Sequence, residues 1–144
     1  MSLIDYNFFL SHHVLPSKDV PQTAFNTHVI LAEKKLTEWT GSTYSEVEEI
    51  DPNTTDKKEQ KKLTLFKAAE AELTMYYLIG KLGTRINELG IARSVTSEKM
   101  GAGASTSVAG PREIKLIKQT YLDNAADYLS DYIPDTIVVP VSVE

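Results

Sequence analysis

Apolar residues recur at steps of three and four in three stretches of this chain, a spacing that predicts three helices. Phe25, Val29, Ala32, Leu36 and Trp39 keep one face over about 21–40. Pro21 suits the first turn, and Gly41 suits a left-handed cap at the end. A short turn of helix is expected at 44–49, opened by Ser42 or Thr43 and stopped by Asp51-Pro52. The second long helix follows the capping run Asn53-Thr54-Thr55-Asp56. Leu63, Phe66, Ala69, Leu73 and Tyr76 form its stripe, and its end falls between Gly80 and Leu89. The third opens at Pro111, with Ile114, Ile117, Tyr121, Ala125, Tyr128 and Tyr132 in step, and Pro134 stops it. Leu116, Leu122, Leu129 and Ile133 widen that apolar face.

Between the second and third helices, residues 94–110 include Met100-Gly101-Ala102-Gly103-Ala104-Ser105-Thr106-Ser107. Small residues without a period cannot bury a face, so this is a long glycine-rich loop. Short strands at 91–95 and near Val108 could flank it as a small hairpin. After Pro134 the β-branched run through Ile137, Val138, Val139, Val141 and Val143 favours an extended segment, and Pro140 confines it to an edge. The expected fold is mainly α: a small bundle of three to four helices at 21–133, an extended apolar N-terminal segment at 1–20 and an extended tail at 134–144. Apolar ends of this kind dock either on their own domain or on another chain.

Composition narrows the functional classes. With 144 residues the chain suits one domain, and a hydrophobic fraction of 42% supplies a core. A net charge of -5 without a basic stripe is a poor match to the DNA polyanion. The chain has no cysteine, which removes thiolate catalysis and thiolate metal sites. The start lacks a basic n-region, and no apolar run reaches the roughly 20 residues that span a bilayer. Synthesis in the cytoplasm and no membrane partner are therefore expected.

Little chemistry is visible. The histidines are His12, His13 and His28, with no H-E-x-x-H pattern or second ligand cluster. On an extended segment His12 and His13 point to different sides, so no metal site and no cofactor are expected. His28 borders the apolar face of the first long helix and reads as a packed residue. Glu46, Glu48, Glu49 and Asp51 could bind a cation, yet they read better as a solvated turn, since the calcium-loop pattern is missing. The glycines at 101 and 103 lack the Gly-Lys-Ser/Thr ending of a phosphate loop. Lys57, Lys58, Lys61 and Lys62 form the only basic clump and read as the wet face of their helix. Tyr76, Tyr77, Tyr121, Tyr128 and Tyr132 read as core and interface residues. No serine can be placed beside a histidine, so enzymatic activity is not expected.

Four segments in order resemble a known family. They are Leu36-Thr37-Glu38-Trp39-Thr40-Gly41-Ser42-Thr43-Tyr44, Lys67-Ala68-Ala69-Glu70-Ala71-Glu72-Leu73, Ser97-Glu98-Lys99-Met100-Gly101, and Tyr121-Leu122-Asp123-Asn124-Ala125-Ala126-Asp127-Tyr128-Leu129. This pattern is similar to that of the head–tail adaptor (connector, or head completion) proteins of tailed bacteriophages, over about 21–133. The resemblance implies a virion component: a subunit of a homo-oligomeric neck ring of roughly a dozen copies under the portal. Such a ring extends the channel for double-stranded DNA, which passes without specific binding, and it offers a docking surface to the next neck or tail protein. By the same resemblance Ile137, Val138, Val139, Val141 and Val143 would meet the portal. Lys99, Met100, Gly101, Gly103, Ser105 and Thr106 would face a neighbour or the channel. Tyr44, Tyr77 and Tyr132 are candidates for the subunit interface.

Three other readings belong to different classes. A soluble helical regulator or assembly protein would dimerise through its tyrosine-rich face. A nucleic-acid module would use the lysine clump and bind with a steep salt dependence. A small enzyme would need a site that the sequence does not display.

Overall fold

A computed structural model describes residues 2–82 and 111–134. Among them are five helices: α1 (Tyr6–His13), α2 (Gln22–Thr40), α3 (Ser42–Glu48), α4 (Lys57–Leu82) and α5 (Pro111–Tyr128). The mainly helical bundle predicted from periodicity is the architecture present, and no strand occurs among the described residues. The glycine-rich loop at 94–110 and the tail from 135 onward lie outside them.

The long helix α4 is the axis of the bundle, with α1, α2, α3 and α5 packed against it. Its start follows from local chemistry. Asp56 Oδ1 accepts the backbone N–H groups of Lys58 (2.8 Å) and Glu59 (3.2 Å), satisfying donors that the first turn leaves open. The first turns carry exposed lysines, whereas every residue from Ala68 to Met75 is buried. An alanine-rich helix suits this place twice over. Alanine has the highest helix propensity, and its small side chain lets neighbouring helices cross closely.

Two clusters make up the core. In one, Phe9 of α1, Phe25 and Val29 of α2, Met75 and Leu78 of α4 and Ile117 of α5 meet. In the other, Leu36 and Trp39 of α2 and Tyr44 of α3 join Phe66 and Leu73 of α4 and Leu122, Ala125 and Leu129 from the α5 end of the chain. Each fully buried large apolar side chain contributes about 1.5–3 kcal/mol relative to leaving it in water.

The N-terminal segment is not extended as expected. Asp5 caps α1 by accepting the Phe8 N–H at 2.7 Å, and Phe9 is wholly buried. Leu3, Tyr6, Phe8 and Leu10 pack around the same core. Eight residues are too few for a stable helix in isolation, so α1 owes its existence to this docking. Its C-terminus closes with Val14 N–H to Ser11 O (3.2 Å) and Leu15 N–H to Leu10 O (2.8 Å), the two bonds of a Schellman cap. Val14 takes the left-handed conformation there, with φ 54° and ψ 54°.

Two further details differ from expectation. Gly41 has positive φ (58°) but ψ of -133°, so it is a sharp corner between α2 and α3 and not a left-handed cap. Helix α5 ends at Tyr128, earlier than Pro134 requires, and the chain continues in turns bonded from Tyr132 N–H to Leu129 O (2.8 Å). Its buried face is Ile117, Leu122 and Ala125, continued by Leu129 in the turn beyond, while Leu116 and Tyr128 remain exposed. Among the described residues no helix is long and apolar enough to cross a membrane.

Candidate functional site

Residues 70 and 72 of α4 stand two positions apart and so face nearly opposite sides of the helix. Both are glutamates, and both are buried. Each gathers polar groups from a different part of the chain.

Glu70 holds the N-terminal segment. Its Oε2 accepts the backbone N–H groups of Leu3 (2.8 Å) and Ile4 (3.0 Å), and its Oε1 accepts the Tyr44 hydroxyl. Burial pushes the Glu70 carboxyl up to about 7, against the opposing pull of the Tyr44 hydroxyl and the two N–H groups. The Tyr44 phenol is held far above its ordinary value, first by burial and then by the Glu70 charge. This is a structural tether, since its polar atoms are turned inward on one another.

Glu72 faces the C-terminal end of α1 and the flank of α5. His12 Nε2 lies 3.5 Å from Glu72 Oε1, with side-chain exposures of 18% and 9%. Asn124 Nδ2 donates to the same oxygen at 3.4 Å. Glu72 Oε2 is buried and has no hydrogen-bond partner among the described residues. His13 reaches the α4 backbone, its Nε2 standing 3.0 Å from Ala71 O. A carbonyl oxygen only accepts, so His13 Nε2 carries a proton and the lone pair of the neutral ring sits on Nδ1. Burial lowers the basicity of His13, and the charge of His12 adds to that, while the Ala71 carbonyl and Glu72 oppose it.

Aromatic rings fix both imidazoles. Phe8 stacks on His12 one turn earlier in α1, with centroids 6.0 Å apart, and Phe9 meets His13 edge-on at 4.9 Å. From α5, Tyr128 meets His12 at 6.4 Å and Tyr121 meets His13 at 5.5 Å. One ligand atom from each of His12, His13 and Glu72 lies within 4.8 Å of the others. A hollow of about 330 Å³ lined by Leu65, Asn124, Asp127 and Tyr128 adjoins this cluster through Asn124 and Tyr128. A second hollow, between the N-terminal segment, α3 and α4, measures about 230 Å³, below the usual size of a small-molecule site.

Sequence reasoning dismissed the histidine pair on the premise of an extended segment, and the structure removes that premise. In a helix, adjacent positions stand about 100° apart, close enough for both rings to reach one neighbouring helix. Glu72 was missed altogether, although a carboxylate inside the run Ala68-Ala69-Glu70-Ala71-Glu72-Leu73 borders the apolar stripe of its helix.

The other expected site residues fall as follows. Tyr44 is 2% exposed and belongs to the core, so it cannot serve a subunit interface as expected. Its ring is committed to Phe66 and its hydroxyl to Glu70. Tyr77 is half-buried, edge-on to Tyr76 at 5.1 Å. Tyr132 is half-buried against Phe66 (5.3 Å), with Lys62 Nζ 5.9 Å from its centroid. His28 is buried, with Nδ1 2.7 Å from Ala24 O. Glu46, Glu48, Glu49 and Asp51 are all exposed, as are Lys57, Lys58 and Lys61. Ile137, Val138, Val139, Val141 and Val143, together with Lys99, Met100, Gly101, Gly103, Ser105 and Thr106, lie outside the described residues. Compared with family models, with curated proteins and with solved structures, the chain matches none of them.

Proposed function

We propose that this chain is a non-enzymatic structural subunit of a tailed-phage neck, forming a ring under the portal. The ring extends the DNA channel and presents a docking surface to the next neck or tail protein. One observation supports this reading above the others. Three of the four segments that carry the resemblance, far apart in sequence, contribute to one packed core. Leu36, Trp39 and Tyr44 come from the α2–α3 corner, Ala69 and Leu73 from α4, and Leu122, Ala125 and Leu129 from the α5 end of the chain. The pattern is thus a set of residues in mutual contact, as a shared fold requires.

Surface chemistry is compatible with assembly. Val14, Ile30, Leu116 and Tyr128 are large apolar residues exposed on the isolated chain, and neighbours in a ring would cover such positions. An overall negative balance suits a passage through which DNA slides without sticking. The portal-facing role of Ile137, Val138, Val139, Val141 and Val143, and the role of Lys99, Met100, Gly101, Gly103, Ser105 and Thr106 facing a neighbour or the channel, are part of this proposal. Tyr77 and Tyr132 keep a part-exposed edge for a neighbour, whereas Tyr44 is buried in the core.

The test is quantitative mass spectrometry of purified virions of the phage whose genome encodes the chain. A copy number close to one per portal subunit is expected. Absence from clean particles overturns the neck assignment and makes the soluble helical regulator the working hypothesis.

A further inference from the structure

Beyond the neck reading, and independent of it, the cluster at the end of α1 has the makings of a cation site. We propose that His12, His13 and Glu72 bind a borderline divalent metal of the zinc class and so fasten α1 to α4.

The donor set comes first. Two imidazoles and one carboxylate form a ligand set that zinc accepts, with a further position left for water or a fourth group. The spacing is near what coordination needs. Ligand atoms on a tetrahedral zinc at about 2.0–2.1 Å from the metal stand roughly 3.4 Å apart. His12 Nε2 and Glu72 Oε1 are already 3.5 Å apart, and no pair in the set exceeds 4.8 Å. The remaining difference from coordination spacing is at most about 1.4 Å, within reach of side-chain rotation.

The second observation is independent of the cluster's composition. Glu72 Oε2 is buried, on a residue 6% exposed, and has no partner among the described residues. A buried carboxylate oxygen without a donor is costly, and a cation removes that cost. The surroundings also do what outer groups do at metal sites. Ala71 O takes the Nε2 proton of His13 and leaves its Nδ1 lone pair available, and Asn124 orients the Glu72 carboxylate. The hollow beside Asn124 and Tyr128 gives a way in.

The experiment uses the full chain without a histidine tag, stripped with a chelator and dialysed. Zinc(II) is titrated by calorimetry, and cobalt(II) serves as a visible-absorption probe of coordination geometry. Saturable binding of one zinc per chain is expected, with a Kd of roughly 1 µM or tighter. At a hundredfold excess over Kd the melting temperature should rise by on the order of 8 °C. Glu72→Gln and His12→Gln should each weaken binding at least about tenfold while keeping the helical circular dichroism. His12 is partly exposed, so its variant serves if Glu72→Gln does not fold. His28→Gln, altered on α2, should leave affinity unchanged. Failure to saturate, or affinity unaffected by both Glu72→Gln and His12→Gln, overturns the site. In that case the His12–Glu72 approach is a polar contact within the protein alone.

Discussion

The Tyr44 hydroxyl donates to Glu70 Oε1 while the backbone of Leu3 and Ile4 donates to Oε2, so one carboxylate ties α3 and the chain's beginning to α4. Removing it takes the carboxylate acceptor away from all three donors. Glu70→Ala should therefore cost roughly 3–5 kcal/mol, read as a shift in the urea midpoint. Glu70→Gln keeps the shape and an accepting oxygen and should cost less.

The same carboxyl gives stability a pH dependence of unusual sign. Its folded value near 7 lies above the unfolded value of 4.5. Within that window the folded chain holds a proton that the unfolded chain has lost, so stability falls as pH rises through it and is level above. The groups facing Glu70 are Tyr44 from α3 and Glu33 from α2. Glu70's contribution should fall by on the order of 3 kcal/mol between about pH 5 and pH 8. Denaturation curves of the native chain and Glu70→Gln across that range should diverge by this amount. Parallel curves would remove Glu70 as the cause.

Backbone conformation makes two opposite predictions. Val14 is a β-branched residue with positive φ, and it is 87% exposed, so little packing is lost on truncation. Val14→Gly should raise stability by about 1 kcal/mol by relieving that strain. Gly41 has open space where a Cβ would stand, so only its conformation resists substitution. Gly41→Ala should lower stability by about 1–2 kcal/mol, and thermal melts of both variants check the pair.

Asp5 tests whether α1 is part of the fold or an appendage. Asp5→Ala removes the bond from Phe8 N–H and should cost about 1 kcal/mol. Amide exchange in α1 should rise more than in α4, because the helix end frays before the bundle opens.

Deleting residues 137–144 should leave the helical core folded, as read by circular dichroism, while stopping incorporation into particles. Particles that assemble normally with the truncated chain would sink the idea of the tail as an anchor.

Legibility in the sequence followed from how each element meets its neighbours. Helices α2 and α5 each have a wet and a dry side, so Phe25 to Trp39 and Ile117 to Leu129 announce themselves by spacing. Helix α1 has barely two turns, and its one local marker is the capping Asp5, so an apolar run there reads equally well as extended chain. In α4 the alanines read as helix propensity, whereas their burial on every side comes from crossings that no local period encodes. The meeting of His12 with Glu72 is likewise invisible, because periodicity says which side of a helix is dry and not which helix covers it. Tyr44 was misplaced for a related reason: the resemblance offered it to a neighbouring subunit, and no spacing shows that Glu70 of α4 accepts its hydroxyl.

Residues 68–75 have no outward side, and that fixes how the molecule comes apart. Their amides can reach solvent only when several helices leave together, so their exchange should report the free energy of global unfolding and nothing smaller. The same arrangement ties the ends of the chain to its middle: a change at Leu3 or Leu129 is felt by the same two turns of α4. A chain wired in this way loses its structure all at once, and cutting into Leu3 to Phe9 or into Ile117 to Leu129 removes a wall of the core.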